Sequence, residues 1–215
     1  MTCIWILMST LLIGGMIPNR VHEKEKVMNN ATATLRHEHE AILRMLDAAE
    51  AAASGLNRGT RVSPETLSGL LEFFKLFADK CHHGKEEDAL FPLLVKKGMP
   101  AQEGPIAVML HEHTLGRSLI REMSEAAEAY PRDAAAGRKW AEAASGYARL
   151  LRSHIEKENH VLFVMAERML SDAEQLELAE VFEKIEVEKM GAGTHERLHA
   201  LMEKILRETK QEAGV

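Results

Sequence analysis

Residues 81–91 read Cys81-His82-His83-Gly84-Lys85-Glu86-Glu87-Asp88-Ala89-Leu90-Phe91, and residues 153–163 read Ser153-His154-Ile155-Glu156-Lys157-Glu158-Asn159-His160-Val161-Leu162-Phe163. His, Lys, Glu, Leu and Phe recur at a constant offset of 72 residues: 82 to 154, 85 to 157, 86 to 158, 90 to 162 and 91 to 163. A second pair precedes them, His37-Glu38-His39 and His111-Glu112-His113, 74 residues apart. Self-similarity of this kind is weighed before any other signal. A duplicated set of histidines and glutamates points to one site built from two halves that face each other.

The bulk composition narrows the class. At 215 residues the chain is one domain of generous size with room for a real core. A net charge of −6 with both signs dispersed argues against a nucleic-acid surface. Few aromatics beside abundant Ala, Leu, Glu and Met make a helix-forming composition. Cys3 and Cys81 offer no disulfide framework, so a reducing, cytoplasmic setting is the expectation. Residues 1–27 form an apolar leader, too short for a transmembrane span and without a basic n-region or a clear cleavage site. It reads as a poor signal or anchor, an interfacial helix, or translation from an upstream start with Met16 or Met28 as the true beginning.

From Asn29 on, helical periods alternate with short breakers, without strand alternation. The first helix is expected over about 30–54, stopped by Gly55, Asn57 and Gly59. A second opens at Ser63-Pro64, a capping serine with proline in the first helical position. It ends at Gly98 and Pro100, with Pro92 expected to kink its last turns. A third runs from Gly104-Pro105 to Pro131, and a fourth from Asp133 to about Leu170. Ser171 with Glu174 is a capping box opening a fifth, and Thr194 is expected to cap a sixth. The expected fold is all-α: an antiparallel, up-down-up-down four-helix bundle over 28–171, with two additional helices over 172–215. The extra helices are expected to pack across the bundle, the alternative being a partner surface; a homo-oligomer stays open.

Spacing then picks the inward residues. A His followed by Glu four residues on lies on one helix face, and His82/Glu86 and His154/Glu158 match in the repeat whereas His83/Glu87 does not. The repeat therefore selects His82 over His83. In the first helix His39 falls on the stripe Leu35, Ile42, Leu46, and His37 lies about 200° away. In the third His113 falls on the stripe Ile106, Met109, Ile120, Met123, so His111 points out. Four histidines and two glutamates at one level of an apolar core are costly to bury unpaired. A hydrogen-bonded polar layer satisfies some of them; two divalent metals satisfy all, with carboxylates bridging. Mixed nitrogen and oxygen donors without thiolate suit iron, or less well manganese, over structural zinc.

These residues resemble the hemerythrin-like, HHE cation-binding family over roughly residues 28–170. The likeness rests on EH-x-x-I-L (Glu38, His39, Ile42, Leu43), H-x-x-K-E-E-x-x-L-F-P (His82 to Pro92), EH-x-x-G-R (Glu112, His113, Gly116, Arg117) and H-I-x-K-E-x-x-x-L-F (His154 to Phe163). The resemblance implies a non-haem di-iron site with His39, His82, His113 and His154 as ligands and Glu86 and Glu158 as bridges. Oxygen-carrying hemerythrins hold two histidines four apart on the third helix; here Arg117 and Met109 flank His113 at that spacing. The site is then expected to be one histidine short, which favours sensing or reaction with oxygen, peroxide or nitric oxide over reversible oxygen carriage. Tyr147, seven residues before His154 and on its face, is a substitute ligand, an outer hydrogen-bond donor or a core tyrosine.

A peroxide-consuming or oxidase-like enzyme, iron storage, and a metal-free helical interaction module are the competing functions. A ferritin-like site is disfavoured because that class carries Glu-x-x-His on two helices and lone glutamates on the others. His195 and His199, four apart, are expected to belong to an amphipathic surface helix. His160 is expected to face outward and Cys81 to be packed. No nucleic-acid or membrane partner is implied; the expected partner is a small diatomic molecule or peroxide.

Overall fold

The Asn30 side chain accepts the Ala33 N–H and opens helix α1 (Ala31–Asn57). The computed structural model describes residues 30–191 and 193–212; the apolar leader and everything expected of it lie outside them. Ser63 accepts the Thr66 N–H and Pro64 stands where no backbone donor is needed, starting α2, residues 64–96. This helix is α-helical over Pro64–Phe73 and Phe91–Lys96 and π-helical over Phe74–His83 and Glu86–Leu90. Pro92 sits just past the second π segment, where the Phe91 N–H reaches back to the Glu86 carbonyl. Gly98 and Gly104, both at positive φ, carry the chain into α3 (Gly104–Ala129).

Asp133 caps α4, residues 134–169, α-helical over Ala134–Lys157 and Phe163–Met169 with a π segment at Glu158–Leu162. The Ser171/Glu174 capping box opens α5 (Asp172–Met190). Helix α6 (Thr194–Glu212) follows Gly191 and Gly193 at positive φ. The Thr194 hydroxyl does not cap it; it donates to the Met190 carbonyl at 2.7 Å. The described residues are all-helical, and none of their helices is long and apolar enough to cross a membrane.

Two apolar clusters form the interior, and each of the first four helices passes between them. One holds Ile42 and Leu46 of α1, Phe73 and Phe77 of α2, Ile120 of α3, and Trp140 and Leu151 of α4. The other holds Leu35, Leu90, Met109 and Leu162 of the same four helices. Between them, on every helix, stands a histidine: His39, His82, His113 and His154. The polar residues thus occupy one layer with apolar packing above and below. The last two helices divide across it. Leu198, Met202 and Ile205 of α6 join the first cluster, and Leu178, Phe182 and Ile185 of α5 join the second. Gly69 lets α6 sit close on α2, since a Cβ there would lie 2.9 Å from Ile205 Cδ1.

Candidate metal centre

The polar layer collects seven side chains: His39, His82, His83, Glu86, His113, His154 and Glu158, each 3 % exposed or less. Their donor atoms fall into two groups, His39–His82–Glu86–Glu158 and His83–Glu86–His113–His154, within which the atoms lie no more than 4.8 Å apart. Glu86 belongs to both, with Oε1 3.8 Å from His82 Nε2 and Oε2 3.4 Å from His113 Nε2. Glu158 also spans them, with Oε2 3.2 Å from His39 Nε2 and Oε1 3.2 Å from His154 Nε2. Each carboxylate therefore turns one oxygen toward each group.

These approaches are close but lack hydrogen-bond geometry. The Nε2 atoms of His39, His82 and His83 and both oxygens of Glu86 and Glu158 have no hydrogen-bond partner. A buried polar atom left unsatisfied costs about 1–3 kcal/mol. Seven of them would offset the whole stability of an ordinary domain, about 5–15 kcal/mol. A self-satisfied polar layer is thus a poor account of this arrangement, and cations between the groups are a good one. Nitrogen and carboxylate donors without a thiolate fit an iron-type cation.

The outer ring nitrogens explain how the imidazoles are aimed. His82 Nδ1 lies 2.8 Å from Glu38 Oε2, His39 Nδ1 3.0 Å from Asn159 Oδ1, and His113 Nδ1 2.6 Å from Glu87 Oε1. His154 Nδ1 lies 3.0 Å from Glu112 Oε2, and His83 Nδ1 3.4 Å from Asp79 Oδ1. These oxygens only accept, so each Nδ1 carries a proton and donates it, which turns the Nε2 atoms toward the centre, where those of His113 and His154 lie 3.2 Å apart. Such outer partners fix the orientation and raise the basicity of ligating histidines.

The outer partners obey the repeat as well. Glu38 receives His82 and the Lys85 ammonium, and Glu112 receives His154 and the Lys157 ammonium. Asn159 serves His39 as Glu87 serves His113, at matching positions of the two halves. Glu38, Glu112, Lys85 and Lys157 carry no role in the sequence analysis, although the repeat itself contains all four. The charges are held firmly. Burial opposes the Glu38 carboxylate, but Lys85 and His82 outweigh it and bring its pKa down to about 2. Burial likewise opposes a charged His154, yet the adjacent Glu158 carboxylate and the hydrogen bond to Glu112 push it up to about 10.

A hemerythrin HHE cation binding domain matches residues 30–166. The chain belongs to the hemerythrin HHE cation-binding family. No curated protein and no solved structure matches it. The match covers α1 to α3 and most of α4, the four helices that carry the two His/Glu groups, and leaves out α5 and α6. Domains of this family bind metal cations, usually iron, and the two His/Glu groups fit such a site.

The structure brings together all six residues selected from sequence: His39, His82, Glu86, His113, His154 and Glu158. It adds a seventh that the repeat set aside. His83 is buried, and its ring stacks on His113 with centroids 3.8 Å apart. His82 and His83 close the π segment Phe74–His83, and both are buried, as are their repeat mates His154 and Ile155 in the α-helical part of α4. With His83, α2 thus brings a fifth buried histidine to the layer. Its repeat mate is the buried Ile155, so the two groups hold two and three imidazoles.

Arg117, standing where a histidine was sought, donates to Glu87 at 2.8 Å and to Asp79 at 2.7 Å. It thereby braces the outer partners of His113 and His83. Tyr147 packs its ring against Phe74 at 4.9 Å and over Gly116, and its buried hydroxyl has no hydrogen-bond partner. Burial, with Asp79 nearby, pushes its pKa far up, so the phenol stays neutral.

The other candidates separate plainly. His37 pairs with Glu40 and His160 with Glu156, all four side chains more than 70 % exposed, and His111 is exposed. His195 is half-buried against Phe77 at 6.3 Å. Cys81 is buried, and burial pushes its thiol up to about 12, away from thiolate chemistry.

Proposed function

We propose that this chain is a non-haem di-iron protein that binds or senses small oxidants (oxygen, peroxide or nitric oxide) within an up-down-up-down four-helix bundle. The carrying observation is that Glu86 and Glu158 each turn one oxygen toward each histidine group, which suits carboxylates bridging two ions. His39 and His82 would hold one iron, and His83, His113 and His154 the other. Iron bound there would supply Lewis-acid and one-electron chemistry. The order in which the helices cross the two apolar clusters, alternating from α1 to α4, supports the bundle topology.

The chain's own residues narrow the ligand. Every inner side chain is nearly sealed from solvent, so only molecules of a few atoms fit without opening the core. The group with two imidazoles has the smaller protein ligand set, which favours the small ligand on that side. Anaerobic loading with ferrous ion followed by oxygen should give about two irons per chain and the near-ultraviolet charge-transfer absorption of oxidised iron. Stoichiometric zinc in the purified protein, with no such band after iron loading, would overturn the proposal.

The unpartnered Tyr147 hydroxyl supports a second reading, a peroxide-consuming or oxidase-like enzyme in which the neutral phenol donates a hydrogen bond to the oxidant. Peroxide turnover by the iron-loaded protein and by Tyr147→Phe tests it. Rates no better than free iron in both proteins would leave the binding and sensing function standing alone.

A further inference from the structure

The two halves of the repeat differ in what lies behind their lysines. The Lys85 ammonium donates to Glu38, the partner of His82, and also to Glu186 Oε2 of α5 at 2.9 Å. The Lys85 side chain is 2 % exposed. On the next turn of α5, Lys189 lies over Gly84, where a Cβ would meet its side chain at 3.4–3.5 Å, and its ammonium reaches Asp88 at 2.5 Å. The same face of α5 carries Leu178, Phe182 and Ile185 into the second apolar cluster. In the second half Lys157 pairs with Glu112 and is left 37 % exposed; among the described residues no acid stands behind it as Glu186 stands behind Lys85. The helix that makes the difference lies outside the part of the chain that matches the family.

A lysine shared by two carboxylates draws less charge from each. With Glu186 in place, Lys85 leaves Glu38 a stronger acceptor for the His82 Nδ1–H, and a stronger acceptor makes His82 Nε2 a better donor to a metal. Resting on the di-iron function above, we propose that Glu186 is a positioning residue for the metal position held by His39 and His82. Through Lys85 and Glu38 it sets the orientation and donor strength of His82, and it couples the seating of α5 to occupancy of that position and not of the other. Coupling of this kind is reciprocal: metal at that position holds α5 down.

The test uses the full chain as wild type, Glu186→Gln and Lys189→Ala, titrated anaerobically with ferrous ion. Glu186→Gln should weaken one of the two binding steps by about tenfold, the lower end of what outer partners of metal ligands contribute, and leave the other within about twofold. Lys189→Ala removes only a part-exposed ion pair of α5, worth little to its seating, and keeps the Glu186–Lys85 contact, so both steps should stay within about twofold. Ferrous ion should slow hydrogen exchange at the amides of residues 178–186 in wild type and do so less in Glu186→Gln. Wild-type binding curves in Glu186→Gln would overturn the proposal. So would an equal loss in Lys189→Ala, which would assign the effect to packing.

Nitrogen-15 spectra of the metal-free proteins keep this separable from the di-iron function. Glu186→Gln should shift the His82 ring resonances and leave those of His154 in place, whatever the iron stoichiometry. An unshifted His82 overturns the relay even where two irons bind. A shifted His82 in a protein that takes up no second iron sinks the di-iron function and retains the relay.

Discussion

His83 and His113 stack nearly parallel, with ring centroids 3.8 Å apart and planes 15° from each other. Burial and the positive charges of His113, His82 and His154 hold the His83 pKa well below the usual imidazole range, so this ring keeps a free lone pair. His83→Ala should therefore roughly halve the bound iron, as should His82→Ala, because each imidazole is a large share of the donors on its ion. His37→Ala and His111→Ala, on the solvent face, should keep the wild-type iron content and absorption spectrum. Full iron in His83→Ala would remove it from the ligand set.

The outer carboxylates should matter almost as much as the ligands. Glu38→Gln and Glu112→Gln leave a side chain of the same size but remove the charge that holds an imidazole and a lysine together. Each is expected to weaken iron binding by about 10- to 100-fold. Glu40→Gln, on an exposed ion pair with His37, should change nothing measurable. Equilibrium competition with a chelator reads all three, and an unchanged Glu38→Gln would argue against an outer role.

Iron binding should release protons. In the metal-free protein the pKa values of His82 and His113 are raised, and that of His154 stands near 10, because burial is outweighed by adjacent carboxylates. These charges stabilise the metal-free fold below the unfolded pKa, and the contribution is lost as pH rises through the folded values. Ligation needs the same Nε2 atoms free of protons. Stabilisation by ferrous ion should therefore grow as pH rises from the ordinary imidazole range toward about 10. Calorimetry in buffers of different ionisation enthalpy should show the release, and a pH-independent affinity would contradict it.

Stripping the metal should lower Tm. A ligand that binds only the folded state at about a thousand times its Kd adds about 4 kcal/mol, enough to move the melting curve by many degrees. A helical interaction module without metal would melt at the same temperature before and after chelation.

Packing of α6 can be disturbed without touching the site. Gly69→Val would drive a branched side chain against Ile205 and Leu201, and overpacking of this kind costs about 1–3 kcal/mol. Lower Tm with unchanged iron content is expected. Loss of iron would mean that α6 supports the polar layer.

Where helices begin was legible because local chemistry dictates it. Ser63 before Pro64, Asp133, and Ser171 with Glu174 cap helices by satisfying backbone donors a few residues away, and no distant contact is needed to see it. His39 and His113 were legible for a related reason: each stands on an apolar stripe with a helical period, and a face that must be buried carries its histidine inward. The duplication likewise paired His82 with His154 and Glu86 with Glu158 before any fold was known.

His83 was not legible by those means. The repeat pairs it with the apolar Ile155, so nothing in the register marks it as a donor, and its burial beside His82 shows only once the helices pack. The partners of the inner histidines were hidden for another reason. Glu38 and His82, Glu87 and His113, Lys85 and Glu186 lie far apart in the chain, and charged residues that read as solvated faces become partners only when helices bring them together. Local hydrogen bonding and hydrophobic period thus determined which residues are helical and which six could meet. The packing of helix on helix decided which nitrogen of each ring is turned inward, which seventh side chain joins them, and that Glu186 of α5 stands behind Lys85.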